Sequence, residues 1–272
     1  MSRDYNAEAK DHTDHRYAYD FDYRMHEYML RTFAPFLQSG NALELGCFEG
    51  NFTQLATRRF DTLEVVEASG DCIAATTAKV GETVKFHHAT FETFEPQRRY
   101  DNIFLIHTLE HLDHPVDVLR RISGWLSNHG RLFVAVPNAR AASCQIAVQM
   151  GLIDHAAAVT PAEAAHGHRV TYSLDTLGAD LRAAGLRAAT TGGVMFKGLA
   201  NFQIDAALQA GIISDAYLDR VLRAGACVSG SLLERLCDPR TGLIRLTPRA
   251  RSGTASIVRR RARQTRAGQM PA

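Results

Sequence analysis

Apolar residues in this chain fall into short blocks separated by polar stretches with helical spacing, a regular alternation that starts near residue 41. NALEL (41–45) predicts a strand entering a Gly-containing turn, with a helix following over 51–59. TLEVVEA (62–68) predicts a second strand, with a helix over 70–79 behind it. TVKFHH (83–88) and YDNIFLIH (100–107) predict the third and fourth strands. Val116, Leu119, Ile122, Trp125 and Leu126 mark one face of a helix over 115–127, with Pro115 in its first turn. GRLFVAVPN (130–138) predicts a fifth strand, stopped by Pro137. Ahead of this series, Tyr19, Tyr23, Met29, Leu30, Phe33 and Phe36 predict an amphipathic helix over 19–37. Behind it, residues 140–170 break the rhythm with helical segments. The rhythm returns with a helix over 173–185, ended by Gly185, and a sixth strand near 186–196.

Strands alternating with helices of this length imply parallel βαβ units with right-handed crossovers. The expected fold is therefore α/β: a doubly wound, Rossmann-like sheet with an insertion after the fifth strand. Its 272 residues leave room for one large domain. We divide the chain into a flexible arm over 1–18, an α/β domain over 19–219 and an atypical tail over 220–272.

Charge sharpens this division. The net charge is +2, yet the stretch from Pro239 to Ala272 holds nine Arg and no acid, so residues 1–238 carry −7. A basic tail without interleaved aromatics is no argument for nucleic acid. The polar amino-terminal sequence reads as lacking a signal peptide, and no apolar run reaches 18 residues. Five scattered cysteines without CxxC spacing point to a reducing compartment. These features together predict a cytoplasmic protein with neither membrane nor nucleic-acid partners, and a homodimer is compatible with them.

The first βα turn reads Glu44-Leu45-Gly46-Cys47-Phe48-Glu49-Gly50. A dinucleotide fingerprint needs Gly at 46, 48 and 51, and two of those positions hold Phe48 and Asn51. The turn instead resembles motif I (ExGxxxG) of class I S-adenosylmethionine (SAM)-dependent methyltransferases, although the commoner pattern has Gly where Phe48 stands. That resemblance covers about residues 1–219 and is closest to small-molecule and sugar O-methyltransferases of the bacterial stand-alone type. It implies SAM as cofactor, with Glu44, Gly46, Phe48 and Gly50 around its methionine end. Glu67 with Ala68, at the end of the second strand, would take the ribose hydroxyls. Thr90 and Phe91 would lie at the adenine, although the family commonly has Asp where Thr90 stands. His107, in a segment (106–112) similar to the family's LEHL stretch, would face the methionine half.

Methyl transfer to an alcohol also needs the proton removed, by His or a carboxylate. The candidate bases are His111, His166 and His168, the last two following the insertion that covers the acceptor in this fold. Asn138 is a further candidate acceptor contact. His12, His15 and His26 read as surface residues, and Tyr17, Tyr19 and Tyr23 as able to fold over the acceptor. No metal site is assigned: His166-x-His168, or His111 with Asp113 and His114, offers ligands, but no second cluster has the spacing. The expected function is O-methylation of a small hydroxylated acceptor, such as a sugar or secondary metabolite. The alternatives are N-methylation of an amino sugar or amine, and SAM binding without turnover.

One feature departs from the family. Its sheet ends on a seventh, antiparallel strand, for which SGSLLERLC and GLIRLTP are poor candidates. Shifted by one base with suitable codons, Arg220 to Pro239 reads as a segment similar to the usual family ending. The expectation is a C-terminus frame-shifted from about Arg220 and a disordered basic tail.

Overall fold

A computed structural model describes residues 3–8, 20–165, 167–194, 201–214, 216, 220 and 253–260. Helix α1 (Asp20–Phe33) leads to β1 (Ala42–Leu45), α2 (Asn51–Ala56), β2 (Leu63–Glu67), α3 (Gly70–Val80) and β3 (Lys85–His88). Then come β4 (Tyr100–Ile106), α4 (Pro115–Trp125), β5 (Leu126–Pro137), α5 (Ala142–Gln149) and α6 (Pro161–Ala165). The described chain closes with α7 (Leu174–Ala183), β6 (Leu186–Gly193), α8 (Asn201–Gln209) and β7 (Gly253–Arg260).

The strands form one sheet in the order β3-β2-β1-β4-β5-β7-β6. β1 pairs in parallel with both β2 and β4, so the chain winds outward one way and then crosses to the other side of β1. A crevice opens where the order reverses, between the carboxyl ends of β1 and β4. This is the expected doubly wound sheet.

Alternation along the central strands fills two cores. On one face Phe104 and Phe133 stack with centroids 5.1 Å apart, and Met25, Met29, Leu30 and Phe33 of α1 pack over them. The other face buries Ile103, Leu105, Leu132 and Val134 beneath α4 and α7. Ser173 caps α7 in a reciprocal box, its Oγ accepting from the Thr176 N–H at 3.2 Å while Thr176 Oγ1 accepts from the Ser173 N–H at 2.9 Å. No helix among the described residues is long and apolar enough to cross a membrane.

Two expectations about the ends need correcting. Residues 253–260 (GTASIVRR) form a strand inserted antiparallel between β5 and β6, where a disordered tail was expected. Thr254, Ile257 and Val258 are β-branched, and the stretch holds neither Pro nor acid, so it suits a central strand. The expected reading-frame change runs from about Arg220 onward, a stretch of which only Arg220 and residues 253–260 are described. At the other end, residues 3–8 of the arm dock onto the crevice. Arg3 Nη1 donates to the His111 carbonyl at 3.1 Å, and Asn6 Oδ1 accepts from the Ser69 hydroxyl at 2.8 Å. These bonds to the segments that follow β4 and β2 hold this part of the arm in place.

Candidate active site

The turn after β1 is shaped by sterics. Gly46 has φ +79°, and a Cβ there would lie 2.9 Å from Thr108 Oγ1. Thr108 itself donates to the Leu45 carbonyl at 3.1 Å, so the ends of β1 and β4 are in direct contact. Gly50 has φ +75° and backs onto Thr76 at 2.5 Å from a notional Cβ. Phe48 adopts φ +46°, the left-handed conformation that a Gly would take without cost. Its backbone follows the glycine path despite the side chain. Glu49 of the same turn accepts from the Tyr23 hydroxyl at 2.7 Å, which ties α1 to the turn. Tyr17 and Tyr19 lie outside the described residues.

Two carboxyls lie beneath this turn. Glu67 Oε2 accepts from the backbone N–H groups of Cys47 (3.0 Å) and Phe48 (3.4 Å), and Oε1 accepts from that of Ser69 (2.9 Å). Glu67 therefore fixes the turn as well as standing at its mouth. Glu44 is fully buried on β1, and its Oε2 has no hydrogen-bond partner. Burial, helped by the Glu67 charge, pushes its carboxyl up to about 8.

The loop after β3 is more structural than its motif suggests. Phe91 is buried in the core with Phe94 and Leu109, and its carbonyl accepts from Arg121 Nε at 3.1 Å. The Thr90 hydroxyl pairs with that of Thr93 at 3.1 Å. Ala68 contributes its carbonyl to His88 Nε2 at 3.1 Å.

A histidine cluster stands at the end of β4. His107 has φ +48°, and its Nδ1 lies 3.3 Å from Glu110 Oε1. The His111 and His168 rings meet edge to face with centroids 4.6 Å apart. The insertion brings them together. Arg169 donates its backbone N–H to the Glu110 carbonyl at 2.8 Å and its side chain to Asp113 at 2.9 Å. Burial would raise the Glu110 carboxyl, but the His107 hydrogen bond and the nearby His111 and His168 hold it below the usual range. His166 lies outside the described residues. Asn138 is turned inward, with Oδ1 accepting from the Arg140 N–H at 2.9 Å, so it caps the strand end.

His26 corrects an expectation. It packs edge-on against Phe52 with centroids 6.0 Å apart, and its Nδ1 is buried without a partner. The inward stripe of α1 carries it there. Burial, and the charge of nearby His107, push its imidazole down to about 3, so it is neutral.

A family model described as a methyltransferase domain matches residues 16–191. The chain belongs to this methyltransferase family. It is a class I SAM-dependent methyltransferase, as the motif spacing implied, and SAM is its cofactor. No curated protein matches the sequence. Among solved structures, the methyltransferase CcbJ from Streptomyces caelestis is similar at TM-score 0.52, with 16% identity over 88% of this chain and 90% of that one. The 1,6-didemethyltoxoflavin N1-methyltransferase of Burkholderia thailandensis is similar at 0.51, with 15% identity over 87% and 77%. The [4+2]-cyclase SpnF is similar at 0.54, with 15% identity over 88% and 80%. At such identities these likenesses show the fold.

Sequence reasoning on this methyltransferase gave no role to Glu110 and Arg3, and it placed His26 on the surface. The i,i+3 pair His107 and Glu110, right after the apolar run of β4, was the available signal for Glu110. Arg3 pairs locally with Glu8, but its bond to the His111 carbonyl, more than a hundred positions away, leaves no local signal.

Proposed function

We propose that the enzyme moves the methyl group of SAM to a hydroxyl of a small acceptor such as a sugar or secondary metabolite. The observation that carries this reading is the meeting of His168 with His111 on the segment after β4, whose Thr108 donates to the Leu45 carbonyl at the end of β1. An alcohol must lose a proton as it is methylated, and an imidazole pair at the acceptor pole can take it up. An amine has less need of such a pair.

The residues around the crevice fit the cofactor. Glu44 Oε2 is a buried acceptor without a partner, and an ammonium is the group that would satisfy it. Glu67 Oε1 accepts one N–H and keeps a lone pair for a ribose hydroxyl. Gly46, Phe48 and Gly50 would follow the methionine half, with His107 opposite, while Ala68, Thr90 and Phe91 would border ribose and adenine. SAM supplies an activated methyl on a sulfonium that is itself the leaving group. Aligning the acceptor oxygen with it is worth about 7–11 kcal/mol. His111 and His168 orient the hydroxyl and accept its proton.

Incubation with labelled SAM and panels of hydroxylated and amine acceptors tests this. Label appearing on hydroxyl oxygens is expected, and label confined to amines would overturn the reading. His168→Ala should lower kcat by about 10²–10⁴-fold while leaving SAM affinity little changed. Full activity would remove its proposed role.

A further inference from the structure

Glu110, His111 and His168 are the group of side chains, among the described residues, whose donor atoms could meet on one ion: the three lie within 4.8 Å of one another. Metal–ligand bonds of about 2.0–2.2 Å place such donors within roughly 4.4 Å, so rotating one ring slightly closes the set.

Three further observations favour a bound cation over a casual cluster. Glu110 is fully buried, yet only its Oε1 has a partner, at His107 Nδ1, and Oε2 has none. An unsatisfied carboxylate oxygen in the interior is costly, and a cation satisfies it. His107 orients the Glu110 carboxylate, the outer-shell arrangement that tunes metal ligands. Both histidine-bearing segments are also pinned from outside. The Arg169 N–H holds the Glu110 carbonyl, the Arg169 side chain holds Asp113, and Arg3 holds the His111 carbonyl. None of these braces uses the donor atoms themselves.

We propose that Glu110, His111 and His168 bind a first-row divalent cation that holds the acceptor through its oxygens. Two imidazoles and one carboxylate suit zinc, manganese, cobalt or iron, and three protein ligands leave positions open to a substrate. The acceptor class is then narrower than any alcohol. It is a hydroxyl with a second oxygen close enough to chelate, as in a vicinal diol or a hydroxy-carbonyl group. Coordination lowers the hydroxyl's pKa, and its proton passes to water. The oxygen lone pair forms the new C–O bond while the C–S electron pair returns to sulfur. This rests on the site being the acceptor pole of the reading above; with the cation bound, the imidazoles serve as its ligands and the proton goes to water instead of to them.

The test uses the full chain, stripped with EDTA, desalted and titrated with cobalt chloride while the visible absorption is followed. One Co²⁺ per chain is expected. Glu110→Gln and His168→Ala should each weaken it about tenfold or more, while His12→Ala with His15→Ala should leave it unchanged. Circular dichroism and SAM affinity report whether each variant folds. If His168→Ala fails that check, the nearly isosteric Glu110→Gln carries the test. No saturable binding, or equal affinity in the folded variants, would overturn the site. Hydroxyl methylation that survives EDTA without cobalt binding would overturn the cation and spare the O-methylation reading. Stoichiometric cobalt with label only on amines would do the reverse.

Discussion

Glu67 Oε2 accepts the Cys47 backbone N–H at 3.0 Å, so the end of the second strand holds the turn that follows the first. One carboxylate thus serves the turn and the mouth of the crevice together. Glu67→Ala should weaken SAM binding by at least tenfold, because hydrogen bonds to a charged group are worth about 1.5–3 kcal/mol. Titration calorimetry decides it, and unchanged affinity would remove Glu67 from the cofactor site. The thermal midpoint should fall as well, since the turn loses its anchor.

Gly46 is constrained twice, by its positive φ and by Thr108. Gly46→Ala should cost about 2–4 kcal/mol in urea unfolding, combining a left-handed Ala with a clash. Adding Thr108→Ala removes the clashing atoms but not the backbone strain. The double variant should therefore recover only part of the loss, and full recovery would show that φ costs little here.

Glu44 makes stability depend on pH. Its folded carboxyl holds a proton up to about 8, against an ordinary 4.5. Between those values the folded chain keeps a proton that the unfolded chain has lost. The contribution is complete below the unfolded value and disappears as pH rises through 8. Glu44→Gln should match the parent near pH 4.5 and exceed it by a few kcal/mol near pH 9. Urea midpoints at both ends check this, and parallel curves would contradict it.

His26 acts at the acid end. Its imidazole is pushed from an ordinary 6.5 to about 3, so the unfolded chain takes up a proton that the folded chain refuses. Its contribution is complete above the unfolded value and is lost as pH falls toward 3. His26→Phe, which keeps an aromatic ring against Phe52, should flatten the acid limb of the stability profile. An unchanged acid midpoint would show that the ring protonates in place.

Much of this enzyme was legible along the chain because its signals are local. Two-residue alternation in Phe104 and Phe133, helical spacing in Met25, Met29 and Phe33, and the Glu44-to-Gly50 turn each depend on near neighbours. They determined the α/β class and marked the turn after β1 as the one that resembles a cofactor turn. The strand at 253–260 stayed hidden because eight β-prone residues look alike whether they lie in a tail or between β5 and β6. Only long-range pairing distinguishes the two. His26 read as a surface residue because helical spacing does not say which neighbour covers a face. The approach of His168 to His111 was likewise set by the braces at Arg169 and Glu110, which join segments far apart in sequence. Sequence determined which elements form and where the glycine turn after β1 lies. Tertiary structure decided which side chains share a dry, charged space, because burial and unsatisfied valence arise only when distant segments meet.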